Sequence, residues 1–144
     1  MKIENLDQIV ELCVDSLNME HEEASKTIKW AQKSSLAKLF LVFDSGKVVG
    51  MLQLEWAGTE WNRIAEIGLI AVRQDYRRKS FGTRLVTEME EYARERGFRK
   101  LYVEPRTENL IAVHFYLANG FTPEGTRKDW YSDGEDSIIL GKHI

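Results

Sequence analysis

Cysteine and long apolar runs are scarce in this chain of 144 residues, and each scarcity excludes a class of protein. The single cysteine, Cys13, rules out an internal disulfide, and no spacing of cysteine and histidine is typical of a zinc site. No apolar run approaches the roughly 20 residues of a membrane-spanning helix. The opening segment MKIENLDQIV also lacks the pattern of a signal peptide. We therefore expect no metal, no membrane association and a cytoplasmic location.

Charge is plentiful but balanced, with 20 lysine and arginine residues against 23 aspartate and glutamate residues. The net charge of −3 is too mild to indicate nucleic acid as the main partner, and it suits a cationic substrate. The length is that of about one domain. Because the sequence contains no repeat, low-complexity segment or linker, we expect a single domain over residues 1–144.

Two segments near the start have the periodicity of amphipathic helices. The first helix is predicted to follow an N-cap at Asn5, and the second to run from about His21 to Lys33. Their apolar faces consist of Leu6, Ile9, Val10, Cys13 and Leu17 in the first and Ala24, Ile28 and Ala31 in the second. The position of Cys13 on such a face predicts a buried, inert thiol.

The periodicity then changes to that of strands. Residues 38–43 and 48–56 are rich in β-branched and aromatic residues, and the segment 44–47 between them, DSGK, has the composition of a tight hairpin turn. Residues 63–72 are almost continuously apolar, as expected of an interior strand covered on both faces. Three successive strands predict an antiparallel meander.

The second half alternates helix and strand. A helix is predicted from about Phe81 and is closed by a left-handed cap at Gly97. A strand over residues 99–105 follows, so the strands on either side of this helix should be parallel neighbours. A further helix is predicted from Asn109 to Ala118. Last comes a hairpin that pairs residues 125–132 with 136–144 through a turn at Asp133 and Gly134.

The segment RRKSFG, residues 77–82, places three cations and a glycine at a predicted helix start. The first amides of a helix have no partner within it, and the helix dipole leaves partial positive charge there, so an anion is stabilised. Gly82 and the small Ser80 let the main chain approach a ligand. Neither a G-x-x-x-x-G-K-[ST] loop nor a G-x-G-x-x-G loop is present. A solvated basic surface is the alternative interpretation of this stretch.

Residues 65–121 resemble the central region of the GNAT superfamily, the acetyl-CoA-dependent N-acetyltransferases. In that family a strand leads into a loop of the form [QR]-x-x-G-x-[GA] and a long helix, and a later segment reads N-x-x-A-x-x-x-Y-x-x-x-G-F. The loop here is residues 77–82. The later segment is matched at every spacing by Asn109, Ala112, Tyr116, Gly120 and Phe121. The resemblance implies an α/β (α+β) fold, with a mostly antiparallel twisted sheet, a central parallel strand pair splayed around coenzyme A, and about four helices on both faces.

The chain departs from the family pattern in two places. Ser80 stands where the family usually has the first glycine, so a Cβ lies where the main chain should approach pyrophosphate, although the serine hydroxyl can donate a hydrogen bond. Family members also usually carry a strand before the first helix, and only Met1–Ile3 remain here to supply it.

The resemblance implies acetyl-CoA as co-substrate, with its pyrophosphate on the amides of residues 77–82. Its pantetheine arm would pair with main-chain groups near Ile70 and Val72, in a cleft between the splayed strands. An unpaired N–H in that cleft would stabilise the oxyanion formed when an amine attacks the thioester. The implied donor-binding residues are Ile70, Ala71, Val72, Arg77, Arg78, Lys79, Ser80, Phe81, Gly82, Thr83, Asn109 and Tyr116.

Tyr116 is the implied general acid for the departing thiolate, since a phenol with a pKa near 10 is a fair match to a thiol. Asn109 and Tyr116 are seven residues apart and would project from one helix face toward the same ligand. Glu66 is the candidate general base, with a pKa raised by burial on its strand. The alternatives are a core tyrosine with a satisfied hydroxyl, a structural glutamate, and water as the base.

The acceptor is left open between a protein N-terminus, a lysine and a small-molecule amine. Trp130 and Tyr131 are expected to contribute to its pocket, whereas His114 is expected to be an ordinary surface or core histidine. The acidic residues expected near the acceptor are Glu55, Glu60, Glu66, Asp129, Asp133 and Glu135.

Two other functions, and the oligomeric state, also stay open at this point. A non-catalytic module that binds coenzyme A would keep the fold without turnover. A nucleic-acid-binding protein would use the cations Arg77, Arg78, Lys79 and Arg84, and its affinity would fall steeply with salt. A homodimer is left open.

Overall fold

The computed structural model describes residues 3–58 and 61–144. The helices are α1 Ile3–Leu17, α2 His21–Lys33, α3 Phe81–Glu95 and α4 Leu110–Ala118. The strands are β1 Ala37–Asp44, β2 Lys47–Ala57, β3 Ile64–Val72, β4 Lys100–Val103, β5 Thr122–Arg127 and β6 Ser137–His143. A single 3-10 turn, Gln74–Tyr76, lies between β3 and α3 in the described chain. Each helix of these ranges is too short or too polar to span a lipid bilayer.

The strands form one sheet in the order β1-β2-β3-β4-β6-β5, which confirms the predicted mixed α/β fold. β1 with β2, β4 with β6, and β5 with β6 are antiparallel pairs. β3 and β4 are parallel, as predicted from the intervening helix α3. Their register joins Ile64 to Lys100, Ala65 to Leu101 and Glu66 to Tyr102.

The chain divides into two compact units, each made of two segments. Unit 1 comprises Met1–Trp56 and Ile67–Tyr92, and unit 2 comprises Ala57–Glu66 and Ala93–Ile144. β3 therefore contributes its first three residues to unit 2 and its last six to unit 1. The single domain over residues 1–144 stays a prediction.

The core of unit 1 joins the apolar faces of α1 and α2 to β2 and β3. Its buried members are Ile9, Val10, Leu12, Cys13, Ala24, Ile28, Val48, Met51 and Ala71. Burial raises the pKa of the Cys13 thiol to about 11, in keeping with the predicted inert thiol. The β1–β2 hairpin turns at Ser45 and Gly46, whose φ angles of 50° and 79° are the left-handed values that a tight hairpin turn requires.

The start of α1 corrects one sequence prediction. The helix begins at Ile3, so Asn5 lies in its first turn and is not the N-cap. Ile3 and Glu4 are as compatible with helical backbone as Asn5, so the capping preference of asparagine does not decide this boundary. The residues predicted for an additional first strand include Met1 and Lys2, which lie outside the described residues.

The last hairpin corrects a second prediction. β5 covers Thr122–Arg127 instead of residues 125–132, and residues 128–136 form its connection to β6. All six residues of β5 are exposed at the edge of the sheet. A strand without a buried face has no apolar periodicity, so its position is decided by main-chain pairing with β6.

β3 was predicted to be covered on both faces. It differs from this prediction at Gly68, which is exposed.

Candidate active site

The loop before α3 has the geometry of an anion site. Arg78 and Ser80 have φ angles of 63° and 65°, and Lys79 between them is not left-handed. Such alternation turns successive N–H groups toward one side and forms a concave nest for anions. The Ser80 carbonyl accepts the first helical hydrogen bond, from the N–H of Arg84 at 2.9 Å, so Ser80 is the N-cap. The amides of residues 81–83 lie at the open helix end, where they have no intrahelical acceptor.

Side-chain contacts within unit 1 hold this loop. The Tyr76 hydroxyl donates to Oδ2 of Asp44 at 2.8 Å, and Nζ of Lys79 lies 5.4 Å from the centroid of the Tyr76 ring. Nε of Arg77 donates to the carbonyl oxygen of Val72 at 3.1 Å. The Arg77 guanidinium is therefore bound to the end of β3. Pantetheine was predicted to pair with main-chain groups near Ile70 and Val72, and the Val72 carbonyl already accepts this one bond.

The unit 1 part of β3 contains the other predicted donor-binding residues. Within residues 3–58 and 61–144, the parallel pairing with β4 ends at Glu66, so residues 67–72 lie beyond that ladder. Ala71 is buried in the unit 1 core, whereas Ile70 and Val72 are half-buried. Unit 1 thus brings together residues 70–72 and the anion loop.

Tyr116 lies in unit 2, on α4, and is only 4% exposed. Its ring packs edge-on against Phe115 and Phe121, with centroids 5.3 and 5.6 Å away. Unlike a core tyrosine with a satisfied hydroxyl, it makes no hydrogen bond to the described part of the chain. Burial raises the pKa of Tyr116 above its ordinary value, so its hydroxyl is protonated at neutral pH.

Asn109 has a different position from the predicted one. It is the N-cap of α4, and its Oδ1 accepts the N–H of Ala112 at 3.2 Å. Its φ and ψ of −79° and 73° are outside the helical range. Helical periodicity therefore does not apply between Asn109 and Tyr116, and the prediction that both project from one helix face is wrong. The spacing N-x-x-A in the sequence is explained by capping.

Glu66 is half-buried in unit 2 and lies opposite Tyr102 in the parallel pair. The Tyr102 hydroxyl donates to Oε2 of Glu66 at 3.0 Å. Burial, followed by the negative charge of Glu66, raises the pKa of Tyr102, so this hydroxyl stays a donor. The predicted base is therefore hydrogen bonded on its strand.

Glu104, a second carboxylate in unit 2, was not among the site residues predicted from the sequence. Its Oε2 accepts from Nε of Arg127 at 2.9 Å and from Oγ of Ser137 at 3.3 Å, and its side chain is 12% exposed. The Tyr131 hydroxyl donates to its main-chain oxygen at 3.1 Å. The available signal is the alternation of apolar and polar residues over 101–104, which puts Tyr102 and Glu104 on one face.

The two aromatic residues predicted for the acceptor pocket lie in the β5–β6 connection. The Arg106 guanidinium is 4.0 Å from the centroid of the Tyr131 ring and bonds both carboxylate oxygens of Asp133, at 3.0 and 2.8 Å. The Arg127 guanidinium is 4.7 Å from the centroid of the Trp130 ring. Cation–π stacking of this kind helps to order the connection that carries both rings.

The remaining acidic candidates belong to both units. Glu55 is half-buried in unit 1, and Asp129 and Asp133 are exposed in unit 2. Oε1 of Glu135 accepts from the hydroxyl of Thr107 at 2.6 Å. Glu60 lies outside the described residues. His114 is exposed on α4, which agrees with its interpretation as an ordinary histidine.

Comparison with known proteins identifies acetyltransferases. The sequence model of the acetyltransferase (GNAT) family matches residues 6–121. A putative [ribosomal protein bS18]-alanine N-acetyltransferase of Bacillus subtilis is 30% identical over 149 aligned residues, which cover 97% of this chain and 90% of that protein.

Solved structures resemble the whole chain. The ribosomal-protein-S18-alanine N-acetyltransferase of Escherichia coli has a TM-score of 0.83 at 23% identity, over 100% of this chain and 90% of that one. An aminoglycoside 6'-N-acetyltransferase complexed with coenzyme A has a TM-score of 0.81 at 16% identity, over 96% and 89%. At these identities the likeness establishes the fold.

Proposed function

Because the chain belongs to the GNAT family of acetyltransferases, we propose that it transfers the acetyl group of acetyl-CoA to a primary amine, which attacks the thioester directly in a ternary complex. The predicted acyltransferase class is confirmed by this membership. Acetyl-CoA as the donor agrees with the coenzyme A held by the aminoglycoside acetyltransferase neighbour. The observation that carries the proposal is the exposed nest at Arg78–Ser80, which opens α3 inside the region that matches the family.

The donor is proposed to bind through main-chain groups. The amides of residues 78–83 hold the pyrophosphate, since a nest and a helix start both favour an anion. The pantetheine arm pairs with the main chain of β3 near Ile70, beyond the last β3–β4 pair. Arg77 orders the loop through Val72 instead of contacting phosphate.

The proposed chemistry is one nucleophilic substitution. The amine nitrogen attacks the thioester carbonyl carbon, and a β3 main-chain N–H near Ile70 stabilises the resulting oxyanion. The C–S bond then breaks, and the thiolate takes the proton of the Tyr116 hydroxyl. Glu66 takes the proton that the amine loses. Glu66 is proposed as the base because it lies on β3, the strand that leads to the anion loop.

For the acceptor, we favour the α-amine of a polypeptide. The support is the length of the likeness, since the Bacillus subtilis relative named for ribosomal alanine acetylation aligns over 97% of this chain. A small cationic amine is the alternative, supported by the aminoglycoside acetyltransferase among the structural neighbours.

The decisive experiment measures release of free coenzyme A from acetyl-CoA with a panel of N-terminal peptides and small amines. Tyr116→Phe should lower kcat on the order of a hundredfold while leaving the affinity for acetyl-CoA unchanged, because the lost group acts only on the leaving thiolate. Since the pKa of Tyr116 is raised, its titration should cause no fall in the wild-type kcat below a pH of about 10. Tyr92→Phe, a tyrosine packed against Phe40 and Trp56 in unit 1, is the matched control.

Binding of the donor is tested separately by thermal shift. At a hundredfold excess over its Kd, acetyl-CoA should stabilise the protein by about 2.7 kcal/mol, whereas NAD and ATP should have little effect. A shift with acetyl-CoA but no turnover with any amine would favour the non-catalytic module. An equal shift with nucleotides that lack the pantetheine arm would contradict the proposed binding mode.

A further inference from the structure

A polar pair lies within unit 1 next to apolar neighbours. Gln53 of β2 is wholly buried, and its Nε2 donates to Oε1 of Glu55 at 2.6 Å. Oε1 of Gln53 is the only fully buried side-chain oxygen or nitrogen of residues 3–58 and 61–144 that has no hydrogen-bond partner. Leaving such an acceptor unpaired is costly, and buried polar groups in folded proteins are nearly always paired. The pair therefore indicates a hydrogen-bond donor that the chain does not supply.

The carboxylate of Glu55 has an unusual setting. It is half-buried, and Gln53 is its hydrogen-bond partner, with no lysine or arginine of the described chain in an ion pair with it. A charge that is partly removed from water is normally balanced by an opposite charge. The Glu55 carboxylate, positioned by Gln53, therefore calls for a positively charged ligand that carries N–H groups. An ammonium group has this chemistry.

Gly68 makes room for this carboxylate. A Cβ at Gly68 would lie 2.5 Å from Oε1 of Glu55, so the carboxylate rests directly against the main chain of β3. Gly68 is itself exposed, so a ligand can reach the carboxylate along this strand. Replacement of Gly68 by any other residue would displace the Glu55 side chain.

The distance between Gly68 and Ile70 along β3 decides which nitrogen of the acceptor can bind to Glu55. Gly68 precedes Ile70 by two residues, which is about 7 Å along a strand. The proposed function puts the thioester beside Ile70, and an attacking nitrogen must lie within about 3.5 Å of the carbonyl carbon. Glu55 is therefore too distant for the attacking amine, and its position suits another nitrogen of the same acceptor.

We propose that Glu55, positioned by Gln53, binds a second, cationic nitrogen of the acceptor. The acceptor is then an amine that carries a further ammonium a few bonds from the reacting one, such as a diamine or a peptide with a basic side chain near its N-terminus. This inference rests on the proposed function for the position of the thioester.

The test compares two probes that differ in one nitrogen, 1,4-diaminobutane and 1-aminobutane. Their Kd values are measured by calorimetry with coenzyme A present, so that no reaction occurs. Wild-type protein should bind the diamine roughly tenfold to a hundredfold more tightly, the range expected of hydrogen bonds to a charged group. Glu55→Gln should reduce this preference to less than about threefold, and Glu91→Gln, on the exposed surface of α3, should leave it unchanged.

Two further variants separate recognition from stability. Gly68→Ala should abolish the preference without removing a charge, since its Cβ displaces the Glu55 carboxylate. Gln53→Met keeps the volume and removes the unpaired oxygen, so it should raise Tm or leave it unchanged while weakening the preference. A purely structural pair would alter Tm in these variants and leave the ratio of the two Kd values as in wild type, which would overturn the proposal.

Wild-type protein with no preference for the diamine would also overturn it. The outcome is distinguishable from failure of the proposed function, because acetyl-CoA binding and turnover are measured independently. If acetyl-CoA does not bind, the titrations are repeated without coenzyme A, and the ratio of Kd values for wild type and Glu55→Gln still decides whether Glu55 binds the second nitrogen.

Discussion

Arg78 and Ser80 hold backbone conformations that L residues adopt at a cost of roughly 1–2 kcal/mol each. The φ angle of 65° at Ser80 explains why the family pattern has glycine at this position, since glycine reaches that region without a steric penalty. The strain persists because the contacts of Tyr76 and Arg77 hold the loop in place, and strained residues of this kind cluster at functional sites. Ser80 is therefore both a strained residue and part of the proposed pyrophosphate site.

We expect Ser80→Gly to stabilise the protein by about 0.5–1 kcal/mol, because relief of the left-handed strain exceeds the added entropy of the unfolded glycine. It should also lower the Kd for acetyl-CoA roughly twofold to tenfold, as the main chain approaches the pyrophosphate more closely. Urea denaturation and calorimetry measure the two effects.

Ser45→Gly provides the control for this substitution. Ser45 has a similar φ of 50°, in the β1–β2 turn, so its replacement should give a comparable gain in stability with no change in acetyl-CoA affinity. A weaker affinity in Ser80→Gly would instead show that the serine hydroxyl donates to the ligand.

At the scale of elements, α3 shows how a helix is terminated by one residue. The N–H of Gly97 donates to the carbonyl of Arg94 at 3.0 Å, and the N–H of Phe98 to that of Ala93 at 2.9 Å. These are the two bonds of a Schellman motif, in which the residue that follows the helix C-cap has left-handed backbone angles. That residue here is Gly97, whose φ is 83°.

Gly97→Ala should destabilise the protein by about 1 kcal/mol, and the cost should come from the backbone alone. A Cβ at Gly97 would meet no atom within 4 Å, so steric overlap is not involved. Thermal or urea unfolding measures the loss.

Gly125→Ala, on the exposed strand β5, is the matched substitution. Its φ is not left-handed, and the nearest atom to its Cβ would be Cδ1 of Ile139 at 4.0 Å. It should be neutral or slightly stabilising, since alanine reduces the freedom of the unfolded chain. Equal losses in the two variants would contradict the assignment of the cost to backbone conformation.

At the scale of the whole molecule, β3 is the element that both units share. Residues 64–66 pair with β4 in unit 2, and residues 67–72 belong to unit 1. Each unit is also assembled from two separate segments of the chain. Because β3 contributes residues to both units, we propose a single domain over residues 1–144.

This proposal predicts one cooperative transition in urea. Alkylation of Cys13 reports on the core of unit 1, because the buried thiol reacts only after unfolding. Hydrogen exchange of the β4 and β6 amides reports on unit 2. The two midpoints should coincide within error, as two-state behaviour requires. Separate midpoints would instead define two domains.

Local chemistry made much of this architecture predictable. α2 has the bounds that its apolar periodicity predicts, and the β1–β2 turn lies where DSGK interrupts two strand-like segments. The parallel β3–β4 pair follows from the helix between the strands. The spacing of the two GNAT motifs likewise identifies the family without coordinates.

The remaining features depend on partners that are distant in the sequence. The position of the exposed strand β5 depends on its pairing with β6, and the Glu104–Arg127 pair joins residues 23 positions apart. In the sequence Gln53 is an ordinary polar residue of a strand, and Glu55 is one of six acidic residues expected near the acceptor. Only the structure shows that Gln53 is buried and that Gly68 makes room for the Glu55 carboxylate. The sequence by itself determined the order of elements and the family, because both rest on local pattern. Only tertiary structure decided which polar groups lie buried without a partner, because burial is a property of the packed chain.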